Sequence, residues 1–214
     1  MTVRHAVDAA LFFRVVSPLP RLLGLAIAIV TATGVVLTLQ APAHAVQALA
    51  PVLLLQMFAA SSGFLVPARR GHYDLLLTRG SGRIAIALVH WSASVAPGVA
   101  GWLLLGLAEL AGRQGAGAAL LASGSWCAMA VVSTLPWAAG IALPRFGAAI
   151  AWLVVTSAAP DRLSVLLDPG ALVGMGLTHV AWVGVAPVLV LSGIAMVAAC
   201  GWIARADVPL EAAQ

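Results

Sequence analysis

Long apolar runs fill most of this chain and leave little room for other kinds of structure. The stretch 21–39, for example, carries no charged residue after Arg21. A helix needs roughly 20 apolar residues to cross a bilayer. The chain is 62% hydrophobic and only 8% charged, with a mean hydropathy of +1.06, whereas about a quarter of the residues in soluble domains are charged. We therefore expect an all-α integral membrane protein.

The apolar runs predict six transmembrane helices joined by short connections. The predicted spans are 21–39, 46–66, 83–107, 117–143, 146–159 and 180–203. Residues 1–20 mix charges with apolar side chains and end in a Ser-Pro-x-Pro break, which predicts an interfacial elbow helix before the first span. Residues 160–179, split by Pro169-Gly170, predict a re-entrant outer hairpin before the last span. The chain then forms a single transmembrane domain.

The placement of arginine predicts the orientation of these spans. The chain has eleven arginines and no lysine. In the six-span arrangement two of them, Arg113 and Arg162, lie on one side. The other nine lie on the opposite side, at Arg4, Arg14, Arg21, Arg69, Arg70, Arg79, Arg83, Arg145 and Arg205. Because cytoplasmic loops are enriched in positive charge, we expect a multi-pass protein of the inner (cytoplasmic) membrane with both termini in the cytoplasm. The scattered arginines do not predict nucleic-acid binding.

Residues 67–83, PARRGHYDLLLTRGSGR, form the longest polar interruption between two apolar runs. Within them, Tyr73 to Leu77 predicts a short helical segment with an apolar leucine face. Gly80-Ser81-Gly82 then predicts a turn before the third span. The pattern favours a cytoplasmic coupling loop that docks a partner. A simpler hypothesis also fits: the arginines set the membrane topology and the leucines lie at the membrane interface.

The stretch 71–78 carries a family resemblance. It is similar to the loop between spans two and three in permease subunits of type-2 ATP-binding-cassette (ABC) transporters, a six-span exporter family with an elbow helix. In this resemblance Asp74 matches the family's glutamate, Leu76 and Leu77 match its leucine pair, and Arg83 matches its closing arginine. Two positions depart from the family pattern: Arg69 replaces an acidic residue and Gly80 replaces a proline.

The resemblance implies a function by alternating access, powered by a separate nucleotide-binding ATPase subunit. ATP and Mg would bind to that partner, since this chain has no lysine for a Gly-x-x-x-x-Gly-Lys loop. This chain itself would not be an enzyme and would carry no catalytic, cofactor or metal site. A second permease subunit, identical or related, would complete the transporter in the lipid bilayer. The implied ATPase-coupling residues are Arg70, Gly71, Tyr73, Asp74, Leu76, Leu77, Arg79 and Arg83, and the elbow residues are Arg14 and Arg21.

Three other functions fit parts of the sequence. Residues 88–91, Leu-Val-His-Trp, are faintly similar to the haem-exporter-like membrane subunit of cytochrome c maturation. Ser123 and His179 open the fourth and sixth spans at the outer side, as a Ser-His pair of a rhomboid-type intramembrane serine protease would. A membrane scaffold without transport activity is the third alternative.

Few polar residues interrupt the spans. His90 falls inside the third span, and Glu109 marks an outer turn together with Arg113. Ionisable residues inside a membrane are functional by default, but positions near span ends favour interfacial placement for both His90 and Glu109. Cys127 and Cys200 lie in apolar runs without metal-like spacing, which predicts small core residues.

Overall fold

The computed structural model describes residues 18–42, 44–61, 82–112, 125–142 and 180–205, and these residues form five α-helices and no strand. The helices are α1 (Pro18–Gln40), α2 (His44–Ser61), α3 (Arg83–Gly112), α4 (Ser125–Ala142) and α5 (Val180–Arg205). The expectation of an all-α chain is confirmed for this part of the protein. The predicted span 146–159 and outer hairpin 160–179 lie outside the described residues, as does the elbow up to Ser17.

Two helix ends differ from the sequence prediction. The predicted elbow reaches residue 20, but α1 begins at Pro18, because proline is well suited to a first helical turn, where no amide hydrogen is needed. The third span was predicted to end at 107, but α3 continues to Gly112. Glu109 therefore lies in a helix and not in an outer turn, and its side chain is fully buried.

Helices α1 and α2 are joined by a tight connection. The amide of Ala41 donates to the Leu37 carbonyl at 2.9 Å, and the amide of His44 donates to the Ala41 carbonyl at 3.0 Å. These bonds satisfy backbone groups that a helix end would otherwise leave without partners. The chain therefore reverses direction within a few residues, and α1 packs along α2.

Helices α1 and α3 run side by side in the same direction. Gly24 lies beside Pro97 near the start of α1, and Gly34 lies beside Leu105 further along. Helix α3 has 30 residues, a length of about 45 Å, and α1 has 23 residues, a length of about 34 Å. Since Pro97 is well inside α3, the first turns of α3 project beyond the start of α1.

Helices α2 and α4 run in the opposite direction to α3. The end of α2 lies against the end of α4, where Gly140 contacts the Ser61 carbonyl. The indole Nε1 of Trp91, early in α3, donates to the Ser133 carbonyl midway along α4 at 2.9 Å, whereas Trp102, further along α3, reaches Ser125 at the start of α4. Helix α5 packs mainly on α4 and less extensively on α3. The described bundle therefore has α1 at one side and α5 at the other, with α2, α3 and α4 between them.

Two clusters of buried apolar side chains hold the helices together. The first, here called the loop-end cluster, joins the ends of α2, α4 and α5 to the start of α3. It consists of Ala60, Ile86, Ala87, Trp137, Ala138, Ile141, Ala199 and Ile203. The second, the central cluster, joins α1, α2, α3 and the start of α4. It consists of Ile27, Leu49, Val52, Leu53, Ala59, Leu105, Ala128 and Met129.

The periphery of the bundle is apolar while several polar side chains are buried inside it. Val197 is 73% exposed and Leu22 is 63% exposed, and many other large apolar side chains on all five helices are also exposed. The buried polar residues are Thr31, Thr38, Gln56, Ser61, His90, Ser94, Glu109, Ser125, Ser133 and Ser192. Soluble proteins usually bury apolar groups and expose polar ones, so an arrangement with so much exposed apolar surface points to an apolar environment or to a large interface.

Two of the described helical segments are long and apolar enough to cross a membrane by length and composition, Arg21–Gln40 and Arg83–Gly112. The other apolar helical segments are shorter, at Gln47–Ser61, Ser125–Ile141 and Leu189–Arg205. A length of 20 residues corresponds to about 30 Å, the thickness of the hydrocarbon core.

Candidate functional site

The described structure contains only two of the residues that the family resemblance implies. Arg21 is exposed near the start of α1, and Arg83 is partly buried at the start of α3. The rest of the predicted coupling loop, from Arg70 to Arg79, lies outside the described residues, as does Arg14. Arg83 directly adjoins the loop-end cluster through Ile86 and Ala87.

One face of α3 carries small and polar residues that point into the bundle. His90, Ser94, Gly98, Gly101 and Glu109 are all buried, and their spacing of three or four residues, with Leu105 between the last two, places them on one helical face. His90 and Glu109 lie about 28 Å apart along the helix axis. This row of buried residues on α3, here called the polar seam, therefore extends over a distance comparable with the hydrocarbon thickness of a bilayer.

His90 and Glu109 differ from their predicted environment. The sequence favoured interfacial placement for both, but His90 is only 1% exposed and Glu109 is 0% exposed within the bundle. The reason is their position on the inward face of α3, which the linear sequence does not reveal without the neighbouring helices. Both side chains take part in interactions with other groups of the protein, so neither is a free ligand.

Gln56 of α2 occupies the middle of this seam. Its side chain is fully buried, and it lies so close to Gly98 that a Cβ at that position would overlap the Gln56 amide. Neither amide atom of Gln56 has a hydrogen-bond partner among the described residues. An unpaired buried polar group costs about 1–3 kcal/mol. Gln56 is therefore a polar group that the described packing holds but does not satisfy.

A second close contact joins α1 to α3. A Cβ on Gly101 would lie 2.5 Å from the Thr31 hydroxyl oxygen, so only glycine allows this approach. Thr31 is 4% exposed, and its hydroxyl has no hydrogen-bond partner in the described part of the chain. Small residues allow helices to approach closely in membrane bundles. The polar seam thus extends from α3 to α1 as well as to α2.

Two tryptophans tie α3 to α4. In addition to the bond from Trp91, the indole Nε1 of Trp102 donates to the Ser125 hydroxyl at 2.8 Å. Other hydroxyls close locally on their own helix, as when Ser94 donates to the His90 carbonyl at 2.9 Å. Such local bonds satisfy polar groups inside an apolar bundle. Gln56 and Thr31 lack such a bond among the described residues, as do Thr38, Trp137 and Ser192.

A laterally open groove of about 930 Å³ lies between α1 and α3. Its volume is at the upper end of the range for small-molecule sites, about 300–1,000 Å³. The groove is mainly apolar, with Thr31 and Gly101 along it and Arg21 at one end. Its lining residues are Arg21, Gly24, Leu25, Ala28, Thr31, Ala32, Val35, Val36, Ala96, Pro97, Ala100, Gly101 and Leu104.

Sequence reasoning did not assign a role to Gln56, Thr31 or the glycines that face them. The available signal was a polar residue within an apolar run: Gln56 is one of the few strongly polar residues in or near the second predicted span. That signal indicates burial or function. It does not identify the contacting residue, because Gly98 is far away along the chain.

The described residues offer little for the other chemistries. No group of three His, Cys, Asp or Glu side chains within them lies close enough to hold a metal ion. Ser123 and His179, the residues of the protease hypothesis, lie outside the described ranges. Compared with known proteins, the chain matches no protein-family model, no curated protein and no solved structure.

Proposed function

We propose that this chain is the membrane-spanning permease subunit of an ATP-driven ABC exporter, located in the inner membrane with six spans. It would move its substrate by alternating access, with a second permease subunit and separate nucleotide-binding ATPase subunits. The observation that carries the proposal is the combination of an apolar periphery with a polar interior seam. The resemblance of residues 71–78 to the family's coupling loop supports the choice of transporter class.

The apolar periphery supports embedding in lipid. Leu25, Leu104 and Val190 are more than half exposed, an exposure that would be costly in water at about 25 cal/mol per Å² of apolar surface. The polar residues face neighbouring helices instead. In lipid the backbone of each helix must satisfy its own hydrogen bonds. The long helix α1 meets this requirement beyond its first turn, and α3 meets it except where Pro97 removes one backbone donor.

The arginines within the described residues support the predicted orientation. Arg21 and Arg83 lie toward the starts of the parallel helices α1 and α3, and Arg205 ends α5. The end of α5 meets the start of α3 through Ile203 and Ile86 in the loop-end cluster. All three charges therefore lie toward the same end of the bundle, which would face the cytoplasm.

The helix directions also fit a six-span chain with both termini on one side. In such a chain the first and third spans run one way, and the second and fourth run the other way. The described helices have these directions. Helices α1 and α3 are parallel, whereas α2 is antiparallel to α3, because Gln56 lies on Gly98 and Val52 lies near Gly101. Helix α4 is also antiparallel to α3, since its bonds with Trp91 and Trp102 run in opposite order along the two helices.

The loop-end cluster supplies a mechanical path for coupling. The loop connects Ser61 at the end of α2 to Arg83 at the start of α3, next to Ala60 and Ile86 of the cluster. Trp137 and Ile203 bring α4 and α5 into the same packed contact. Because close-packed side chains transmit displacement, a push on the loop would move these four helix ends together, while α1 has no residue in the cluster.

The proposal is tested by co-purification from membranes of the native host. The wild-type chain is compared with a Leu76→Asp and Leu77→Asp double variant, which places two charges in the proposed apolar docking face. We expect a nucleotide-binding subunit to be recovered with the wild type and lost with the variant, because burial of unpaired carboxylates opposes docking. The readouts are the recovered ATPase chain and nucleotide hydrolysis.

The matched control is a Leu166→Asp and Leu167→Asp double variant, which changes an adjacent leucine pair in the predicted outer hairpin. It should retain the ATPase if both variants accumulate in the membrane to the wild-type level. Recovery of no ATPase with the wild type would refute the transporter proposal. Equal loss in both double variants would refute the assignment of coupling to the loop.

A further inference from the structure

Arg21 lies partway along the length of α3 and not beside its first residue. Gly24 lies beside Pro97, and Pro97 is about 21 Å from the start of α3 at Arg83. Arg21 is one turn before Gly24, so it lies about 16 Å along the bundle from the start of α3. Exposed apolar side chains continue past this level to Leu88 and Ile84. Arg21 therefore lies at the level where the apolar segment of α1 starts, beside exposed apolar side chains of α3.

No carboxylate in the described part of the chain can neutralise Arg21. Glu109 is the single acidic residue in those ranges. It is buried and lies about 22 Å further along α3 than the level of Arg21. A charged side chain at membrane depth is costly unless it reaches the interface or pairs with an opposite charge. An anionic partner would therefore complement Arg21 at this position.

The groove that begins at Arg21 has the length and the apolar lining that a lipid acyl chain needs. It follows α1 from Arg21 to Val36, a distance of about 22 Å. Because one leaflet of the hydrocarbon core is only about 15 Å thick, the groove is long enough to hold the acyl chain of a lipid. Its outer rims are formed by small exposed residues, among them Ala28, Ala32 and Ala100. A flexible apolar chain can enter sideways between these rims without displacing a packed side chain.

We propose that the groove between α1 and α3 binds an anionic glycerophospholipid, with its phosphate at Arg21 and an acyl chain along the groove. A second copy of this chain fits less well. It would supply apolar side chains, but its single described carboxylate, Glu109, is buried and would not reach Arg21. The lipid supplies both the negative charge and the apolar chain. This assignment depends on membrane embedding but not on an ATPase partner.

The test uses the purified full chain in a nonionic detergent, with phosphatidylglycerol and phosphatidylcholine that carry the same acyl chains. Native mass spectrometry measures how much of each lipid stays bound. We expect the wild type to prefer phosphatidylglycerol about fivefold, the effect of roughly one arginine near an anionic lipid surface. Arg21→Gln should remove the preference. Arg205→Gln, which neutralises an exposed arginine outside the groove, should keep it.

Two further pairs of variants separate the head-group site from the apolar groove. Ala100→Phe and Ala28→Phe fill the groove from opposite walls and should lower the binding of both lipids, whereas Ala198→Phe on the exposed face of α5 should not. Thr31→Val lies in the groove about 15 Å from Arg21, and it should leave the preference for phosphatidylglycerol unchanged. Size-exclusion profiles like that of the wild type establish that each variant folds.

Several results would overturn the proposal. An unchanged lipid preference in Arg21→Gln would remove the phosphate from this residue. Normal lipid binding in both phenylalanine variants would remove the lipid chain from the groove. Efficient cross-linking between copies through Ala28→Cys, in a background without Cys127 and Cys200, would show that a second chain covers the groove. Because no ATPase is present, these results are independent of the co-purification experiment.

Discussion

Glycines at helix contacts determine how closely the helices of this bundle approach one another. At Gly98 the neighbour is the end of a flexible glutamine side chain, and at Gly140 it is the backbone of Ser61. A side chain can change its rotamer, whereas a helix backbone moves only together with its packing. The contact at Gly140 is therefore the less tolerant of the two.

We expect Gly140→Ala to destabilise the protein by about 1–3 kcal/mol, the usual cost of inserting a methyl group into a well-packed core. The added Cβ would lie 2.7 Å from the Ser61 carbonyl oxygen, so α2 and α4 must separate. The measurement is the thermal midpoint of the purified protein in detergent.

The control for this prediction is Gly201→Ala in α5. No atom lies within 4 Å of a Cβ at Gly201, and alanine is about 1 kcal/mol better than glycine in a helix. This variant should be neutral or slightly stabilising. Equal thermal midpoints for the two variants would contradict the close contact between Gly140 and Ser61.

Gln56 is a buried polar residue whose amide is not hydrogen-bonded in the described structure. Its amide is fully buried and has no hydrogen-bond partner among the described residues, while exposed Gln47 pairs with His44 at 2.9 Å. The same residue type therefore has a hydrogen-bond partner near the start of α2 and none, among the described residues, in its last third. Unsatisfied groups of this kind are expected at functional sites, so Gln56 is a candidate residue for the proposed transport function.

At the scale of the helices, hydrogen bonds from tryptophan fix the position of α3 against α4. The two bonds lie at separate levels, Trp91 to Ser133 and Trp102 to Ser125. Two contact points between antiparallel helices define both their register and their relative rotation. Contacts of this kind matter in lipid, where apolar side chains have no hydrophobic drive to associate.

A double-mutant cycle tests the second of these bonds. Trp102→Phe and Ser125→Ala should each cost about 1 kcal/mol, and the double variant should cost less than their sum by about the same amount. The physical reason is that either single change already removes the hydrogen bond. The measurement is the free energy of unfolding during titration of micelles with sodium dodecyl sulfate.

Trp202→Phe provides a comparison for the loss of an indole ring. Trp202 is 48% exposed on α5, so its replacement should change the free energy of unfolding little. Strictly additive effects of Trp102→Phe and Ser125→Ala would show that their side chains do not interact.

At the scale of the whole molecule, the loop-end cluster distinguishes one end of the bundle from the other. It gathers four helix ends beside the loop between Ser61 and Arg83. At the opposite end, Glu109 is buried and α1 turns sharply into α2 at Ala41. The two ends of the described bundle therefore differ, as the proposed cytoplasmic and outer faces would.

Cysteine accessibility tests this orientation in intact cells. In a background without Cys127 and Cys200, Gly82→Cys should react with a membrane-impermeant maleimide only after the cells are permeabilised. Ala111→Cys, at the other end of α3, should react in intact cells. Both positions are exposed, so labelling depends on the side of the membrane. The reverse labelling pattern would contradict the predicted topology.

The helices themselves could be predicted from the sequence, because backbone hydrogen bonding is local and apolar length is visible in the chain. Helix α3 starts at Arg83, the residue at which the third span was predicted to start. Its end at Gly112 lies beyond the predicted end at 107, because Glu109 looks like a turn residue until the neighbouring helices that bury it are known. The docking role of residues 67–83 remains a prediction from the sequence.

The sequence alone determined that this chain is helical and strongly apolar, since the length and composition of its runs require no long-range contacts. Only the tertiary structure decided that Gln56 lies on Gly98, that Thr31 lies on Gly101, and that Arg21 stands at the mouth of a groove. The physical reason is that packing joins residues that are distant in the chain. Close contacts between small residues decide which face of each helix packs against which neighbour. These contacts cannot be read from the hydropathy of the sequence.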